Sequence, residues 1–271
     1  MVRHLRLIVA VAMVAAAAAA AHAASSSLVA IQTPRGVKQA FILITPAEKP
    51  VASVVLFAGG HGALGLTGAS SMKWGAGNFL VRSRELFAGR GFLVAVVDAP
   101  ADRQTGMNAI FRMGRGHAGD IGAVVAHLKK QADVPVWLVG TSMGTFSAAA
   151  GAIESKSADG LVLTSTITRS KPDWKIAQSH RDGVASMALS EVTVPTLIVS
   201  HRKDGCDITP AADAPKLKSR LTKSKKVEVV LLDGGAKPVS EPCQAKSQHG
   251  YFGIEAQAVD AIAKFIKANA R

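Results

Sequence analysis

Aromatic side chains are scarce, with nine Phe, three Trp and one Tyr in 271 residues. A core must therefore be filled mainly by Ala, Val, Leu and Ile. Cysteine is rarer still, and only Cys206 and Cys243 occur. There is no CxxC pair and no Cys/His cluster, which argues against thiolate zinc and iron–sulfur sites; no metal and no cofactor is expected. Acidic residues are the minority charge, 19 Asp and Glu against 32 Lys and Arg. Internal repeats and low-complexity linkers are also missing after the first 23 residues. Nothing divides residues 24–271, so one domain with a substantial core is expected.

Arg3 and Arg6 precede an apolar stretch from Leu7 to Ala21, which ends in Ala21-His22-Ala23. This charged, apolar, small-residue order predicts a secretory signal peptide over residues 1–23. The stretch is short for a membrane span, which needs about 20 residues, and no Cys follows it to accept a lipid. The mature chain is expected outside the cytoplasm, periplasmic or secreted, with no stable membrane insertion. Removing Arg3 and Arg6 lowers the net charge from +13 to +11. Such an excess invites a polyanion partner, but the basic residues are scattered. The densest cluster, residues 216–226, reads as an exposed helix and its trailing loop, and no nucleic-acid-binding motif accompanies it.

Strand and helix patterns alternate from residue 51 onward. "VASVVLFAGG", "FLVAVVDAP", "VPVWLVG", "GLVLTST", "VPTLIVSH" and "VEVVLLDGG" are nearly continuous apolar runs, the pattern of parallel strands buried on both faces. Helical spacing marks residues 77–91, 117–131, 143 onward, 210–221 and 253–270, and an edge hairpin is expected before residue 50. Alternation of this kind implies an α/β fold, a mostly parallel sheet of seven to eight strands with helices on both faces. Two segments are long enough for functional loops, residues 59–77 and the polar stretch 168–191.

One turn stands out. Gly140-Thr141-Ser142-Met143-Gly144 falls where a buried strand ends and an Ala-rich helix begins. Glycines on both sides of a serine suit a sharp turn with close backbone packing. The following helix points free N–H groups toward that serine. A serine hydroxyl needs a base to act as a nucleophile. Of the six histidines after residue 23, only His249 follows the last predicted strand. An acid should orient that histidine. Asp204 and Asp207 both follow the strand ending near His201. Asp204 is preferred, because Asp207 stands before Ile208-Thr209-Pro210 and reads as the cap of a following helix; Asp207 remains the alternative.

The order Ser142, Asp204, His249 on alternating strands and helices resembles the α/β-hydrolase superfamily, across about residues 51–270. The stretch 77–100 is similar to that of small exported bacterial serine hydrolases. The resemblance implies a Ser-His-Asp acyl-enzyme mechanism and an esterase acting on small to medium soluble esters. It also implies an oxyanion hole made by the backbone N–H of Met143 and that of Gly60, with His61 as the alternative donor. His61 departs from the family's pattern and is either a substrate contact or a cap on its loop. A Cys206–Cys243 disulfide is expected, tying the acid loop to the base loop; the export context favours it, and loop closure would contribute about 4 kcal/mol. The segment before the seventh strand is short and polar, so no large cap domain is expected. Arg82 and Arg84 are expected to be surface charges of their helix, with a substrate carboxylate as the other possibility. The competing readings are a noncatalytic or polyanion-binding basic protein on this fold, or an acyltransferase or peptidase variant.

Overall fold

A computed structural model describes residues 24–270 of the protein; the expected signal peptide lies outside them. Strands β1 (Ser25–Gln32) and β2 (Lys38–Thr45) form the edge hairpin. Six more follow: β3 (Ala52–Phe57), β4 (Phe92–Val97), β5 (Val136–Thr141), β6 (Gly160–Thr164), β7 (Thr196–His201) and β8 (Val227–Leu232). Their spatial order is β1-β2-β4-β3-β5-β6-β7-β8. The pairings β1–β2 and β2–β4 are antiparallel, and every later pairing is parallel. The chain passes from β3 out to β4 and then back across to β5. This reversal opens a crevice beyond the carboxyl ends of β3 and β5, the place where open parallel sheets bind ligands.

The helices are α1 (Phe79–Arg82), α2 (Arg84–Gly89), α3 (Ala109–Met113), α4 (Arg115–Gln131), α5 (Gly144–Ala150), α6 (Ala214–Arg220) and α7 (Glu255–Asn269). Strand side chains alternate between two apolar layers. Val54 and Leu56 of β3 pack with Phe79 and Leu80 of α1, Phe87 of α2 and Ile262 of α7. Val55 and Phe57 pack with Ile121 and Val125 of α4 and Phe146 of α5. Both faces of the sheet are therefore covered, which is why the central strands read as unbroken apolar runs.

Two local expectations change. The single helix expected over residues 77–91 is two short helices, because Ser83 leaves helical angles with φ −94° and ψ 2°. Asp207 caps no helix: Pro210 precedes the short helical turn Ala211–Asp213, and Asp213 in turn precedes α6. The basic cluster is an exposed helix and loop, as expected, with Lys216, Lys223 and Lys226 each paired to a surface carboxylate. Exposed pairs of this kind add little stability. Among the described residues, no helix is long and apolar enough to cross a membrane.

Candidate active site

Ser142 sits between β5 and α5 with φ 51°, a left-handed conformation that a residue with a side chain adopts only under constraint. The constraint is visible on both sides. A Cβ at Gly140 would meet the Gly144 carbonyl oxygen at 2.5 Å, and one at Gly144 would overlap the Phe57 carbonyl oxygen of β3. The turn closes because these flanking residues have no side chain. Ser142 N–H donates to Thr164 O of β6 (3.1 Å), and Thr145 N–H returns to Ser142 O (2.9 Å). The serine side chain is thereby held out over the sheet's carboxyl edge, where it lines a cavity of about 350 Å³ together with His249. No direct hydrogen bond joins its hydroxyl to the imidazole. Such contacts are commonly loose without substrate and tighten in the reacting complex.

His249 and Asp204 are brought together. His249 Nδ1 lies 3.1 Å from Asp204 Oδ2, and the carboxylate side chain is fully buried. Asp204 also accepts from Cys206 N–H (3.0 Å) and from the Thr209 hydroxyl (3.0 Å). That hydroxyl is within 3.0 Å of Nδ1 as well. With its hydrogen spent on the carboxylate, Thr209 Oγ1 is an acceptor toward the ring. Both neighbours of Nδ1 are then acceptors, so the ring proton sits on Nδ1 and Nε2 is left as the basic nitrogen. Asp207, by contrast, is exposed, and its carboxylate lies beside the disulfide, 3.7 Å from Cys243 Sγ. Cys206 and Cys243 are joined in a disulfide, which links the Asp204 loop to the loop carrying His249. Cys206, Asp207 and Cys243 are also the only grouping of possible metal ligands among the described residues. Its two sulfurs are oxidised, so it offers no thiolate.

The loop carrying His249 is pinned from several directions. Tyr251, fully buried at φ 57°, donates from its hydroxyl to Val199 O of β7 (2.9 Å). Ser165 donates to His249 O (2.7 Å). Arg82 is no surface charge: it reaches Gly250 O (2.6 Å), Gly77 O (2.5 Å) and Glu255 (2.9 Å), fastening that loop to α1 and α7. Arg84 is also turned inward, onto Val81 O (2.8 Å).

The glycine loop lies against the serine, since a Cβ at Gly59 would stand 3.0 Å from Ser142 Cβ. Among the described residues no protein group accepts from the N–H of Gly60 or of Met143, and both residues line the cavity. His61 stacks on Trp74 with ring centroids 3.8 Å apart. Its Nδ1 accepts from Ala63 N–H (3.1 Å), a bond that caps the loop. Farther along, the buried carboxylate of Asp98 takes four backbone N–H groups, from Leu64, Gly65, Leu66 and Ala99.

Behind the serine, Arg112 of α3 and His117 of α4 meet on the hydroxyl of Ser147 in α5, each at 3.0 Å. Burial pushes His117 down to about 3, and the Arg112 charge acts in the same direction. The unfolded chain therefore takes up this proton first, near pH 6.5. Stability from this group is whole above that value and falls as pH drops toward 3, by up to about 1.4 kcal/mol per pH unit. Urea unfolding of His117→Gln between about pH 6 and pH 4 should show a shallower loss than wild type, by about one proton. Equal slopes would mean that another group carries the acid sensitivity.

Sequence reasoning missed Thr209, Tyr251, Asp98, Arg112 and Trp174, the last of which lines a second lobe beside Gly60 and Met143. For Asp98 a signal existed: an acid directly after a buried strand has to find partners. Trp174 gives no signal of its own, because residues 165–182 hold no helix or strand.

No protein-family model and no curated protein sequence matches this chain. Solved structures do. The esterase Pf2001 of Pyrococcus furiosus superposes with a TM-score of 0.64 at 15% identity, over 92% of each chain. A cold-adapted esterase from an Arctic intertidal metagenomic library gives 0.59 at 15% identity, over 92% of this chain and 95% of that one. Dienelactone hydrolase from Anabaena variabilis gives 0.60 at 15% identity, over 92% of this chain and all of that one. These superpositions over more than nine tenths of the chain, together with its eight-stranded, mostly parallel sheet without a large cap, show that the chain has the α/β-hydrolase fold.

Proposed function

We propose that the protein is a serine hydrolase that cleaves small to medium soluble esters through an acyl-enzyme. The observation that carries this reading is the buried Asp204–His249 pair (3.1 Å) opening on the same cavity as the strained Ser142. His249 Nε2 takes the Ser142 proton as the hydroxyl attacks the ester carbon, and Asp204 stabilises the imidazolium. The N–H groups of Met143 and Gly60 receive the oxyanion. The imidazolium then protonates the departing alcohol, and water repeats the sequence to free the acid. A fluorophosphonate probe should label wild type on Ser142 and leave Ser142→Ala and His249→Ala unlabelled; label at another residue would refute the assignment. The Cys206–Cys243 bond supports residence in an oxidising compartment, in keeping with export.

The cleft has two lobes, and chemistry assigns them. The alcohol oxygen has to reach His249, so the alcohol occupies the 350 Å³ lobe, whose wall includes Asn78, Gln244 and Ala245. A second lobe of about 590 Å³ shares only Gly60 and Met143 with the first and is lined by Met107, Ile110, Trp174 and Ile176. It lies beyond the oxyanion donors, and its lining is mainly apolar although Asp173 and Lys175 also border it, which suits the acyl chain. Each acyl methylene buried there contributes about 0.8 kcal/mol. Across p-nitrophenyl acetate, butanoate and hexanoate, kcat/KM should rise by up to about fourfold per methylene. Trp174→Ala should flatten that gradient and spare acetate. An unchanged gradient would move the acyl chain elsewhere.

A further inference from the structure

Arg112 is only 1% exposed. Its guanidinium carries five N–H groups and no acceptor, so every partner must come from the protein. Nη1 donates to Ser147 Oγ (3.0 Å), Nε to Met107 O (3.3 Å), and Nη2 to Gly60 O (3.2 Å) and Ala58 O (3.4 Å). None of these partners is charged, and among the described residues no carboxylate pairs with it. Burial pushes the group down to about 10, which still leaves it a cation at neutral pH. His117, which shares Ser147, is neutral there and offsets nothing. A buried cation without a counter-charge costs several kcal/mol, and an apolar side chain of similar volume would cost less. Stability alone gives no reason for an arginine at this position.

The carbonyls it holds do give one. Gly60 O and Ala58 O belong to the peptides on either side of the Gly59–Gly60 peptide, which carries the Gly60 N–H. Both flanking peptides are drawn to the same guanidinium. Ser147 lies on α5, about one turn beyond Met143. One side chain thus clamps together the two backbone segments whose free N–H groups line the cavity. The loop's polar groups divide by sign: carbonyls near Gly60 face a cation, and amides from Leu64 to Leu66 face the Asp98 anion.

We propose that Arg112 is a positioning residue for the oxyanion hole, holding the Gly60 amide in line with that of Met143 and setting a fixed positive charge behind the developing oxyanion. The proposal rests on the serine-hydrolase reading. It makes Arg112 act in the transition state rather than in substrate binding, because charge on the carbonyl oxygen appears only there. Losing one oxyanion donor outright costs about 10²- to 10³-fold in kcat, and loosening one should cost about 10- to 100-fold.

The test compares Arg112→Gln and Arg112→Lys with wild type. It measures kcat and KM on p-nitrophenyl butanoate per titrated active site, and the Ki of a trifluoromethyl ketone that forms a tetrahedral adduct. For Gln, kcat should fall about 10- to 100-fold with KM within about threefold, and Ki should rise in proportion to the loss of kcat/KM. Lys keeps the charge without the fork and should fall between Gln and wild type. Wild-type kcat and Ki in Gln would overturn the proposal. So would a loss that vanishes once rates are divided by the number of labelled sites, which would mark Arg112 as a folding residue only. If Gln does not fold, Lys decides: an unchanged kcat per site overturns the clamp, and a selective fall in kcat supports it. Wild type that takes no fluorophosphonate at Ser142 would remove the hydrolase reading itself, and this proposal with it.

Discussion

Ser142→Ala should lose ester turnover almost completely, with kcat falling roughly 10⁴- to 10⁶-fold and the thermal midpoint hardly moved. The stability half of this expectation follows from the backbone. Ser142 holds φ 51°, and alanine meets the same Cβ strain there as serine does. Removing the hydroxyl takes away no bond that supports the turn, since the turn's bonds run through the backbone of Ser142. The activity half follows from chemistry. In the proposed mechanism no acyl-enzyme forms without Oγ, and only the proposed oxyanion donors and binding lobes remain to assist a direct attack by water. The variant is therefore a clean measure of covalent catalysis. Turnover above about one tenth of wild type, in protein free of contaminating esterase, would show that the reaction does not pass through this serine.

Asp204→Asn should lower kcat by about 10⁴-fold, while Asp207→Asn should change it by less than about twofold. The two residues stand three apart on one loop, so the pair of variants isolates position from composition. Asp204 Oδ2 faces His249 Nδ1 at 3.1 Å inside a buried pocket closed by Thr209 and the Cys206 N–H. An amide there can present its NH₂ to Nδ1. The ring then moves its proton to Nε2, the nitrogen that acts as the base in the proposed mechanism, and the charge that would stabilise the imidazolium is gone. Asp207 lies outside this pocket beside the disulfide, exposed to solvent, so its neutralisation leaves the imidazole's surroundings as they were. Activity that survives the first change and is lost with the second would reverse the assignment.

Much of this arrangement is legible along the chain because its causes are local. Continuous apolar runs such as residues 92–97, short and rich in valine, suit strands covered on both faces. Glycines at 140 and 144 permit a turn that no other residue fits. His249 stands out by elimination, as the histidine beyond the last strand. The choice between Asp204 and Asp207 rests, along the chain, on a capping argument that the structure does not support, because Asp207 caps nothing. What separates the two acids is the turn from 204 to 209, which aims one carboxylate inward at a histidine 45 residues away.

By itself, the sequence determined the alternation of strands and helices and the tight turn around Ser142, since each follows from propensity, periodicity or steric fit within a few residues; the order of the serine's expected partners rested on the resemblance to a family. Only the tertiary structure decided which acid meets the imidazole, that Thr209 shares that contact, that Trp174 and Ile110 wall the larger lobe, and that Arg112 is buried beneath the glycine loop. The physical reason is that these are pairings between side chains tens of residues apart. Their energies depend on burial and direction, which no local stretch of chain specifies until the sheet has brought the segments together.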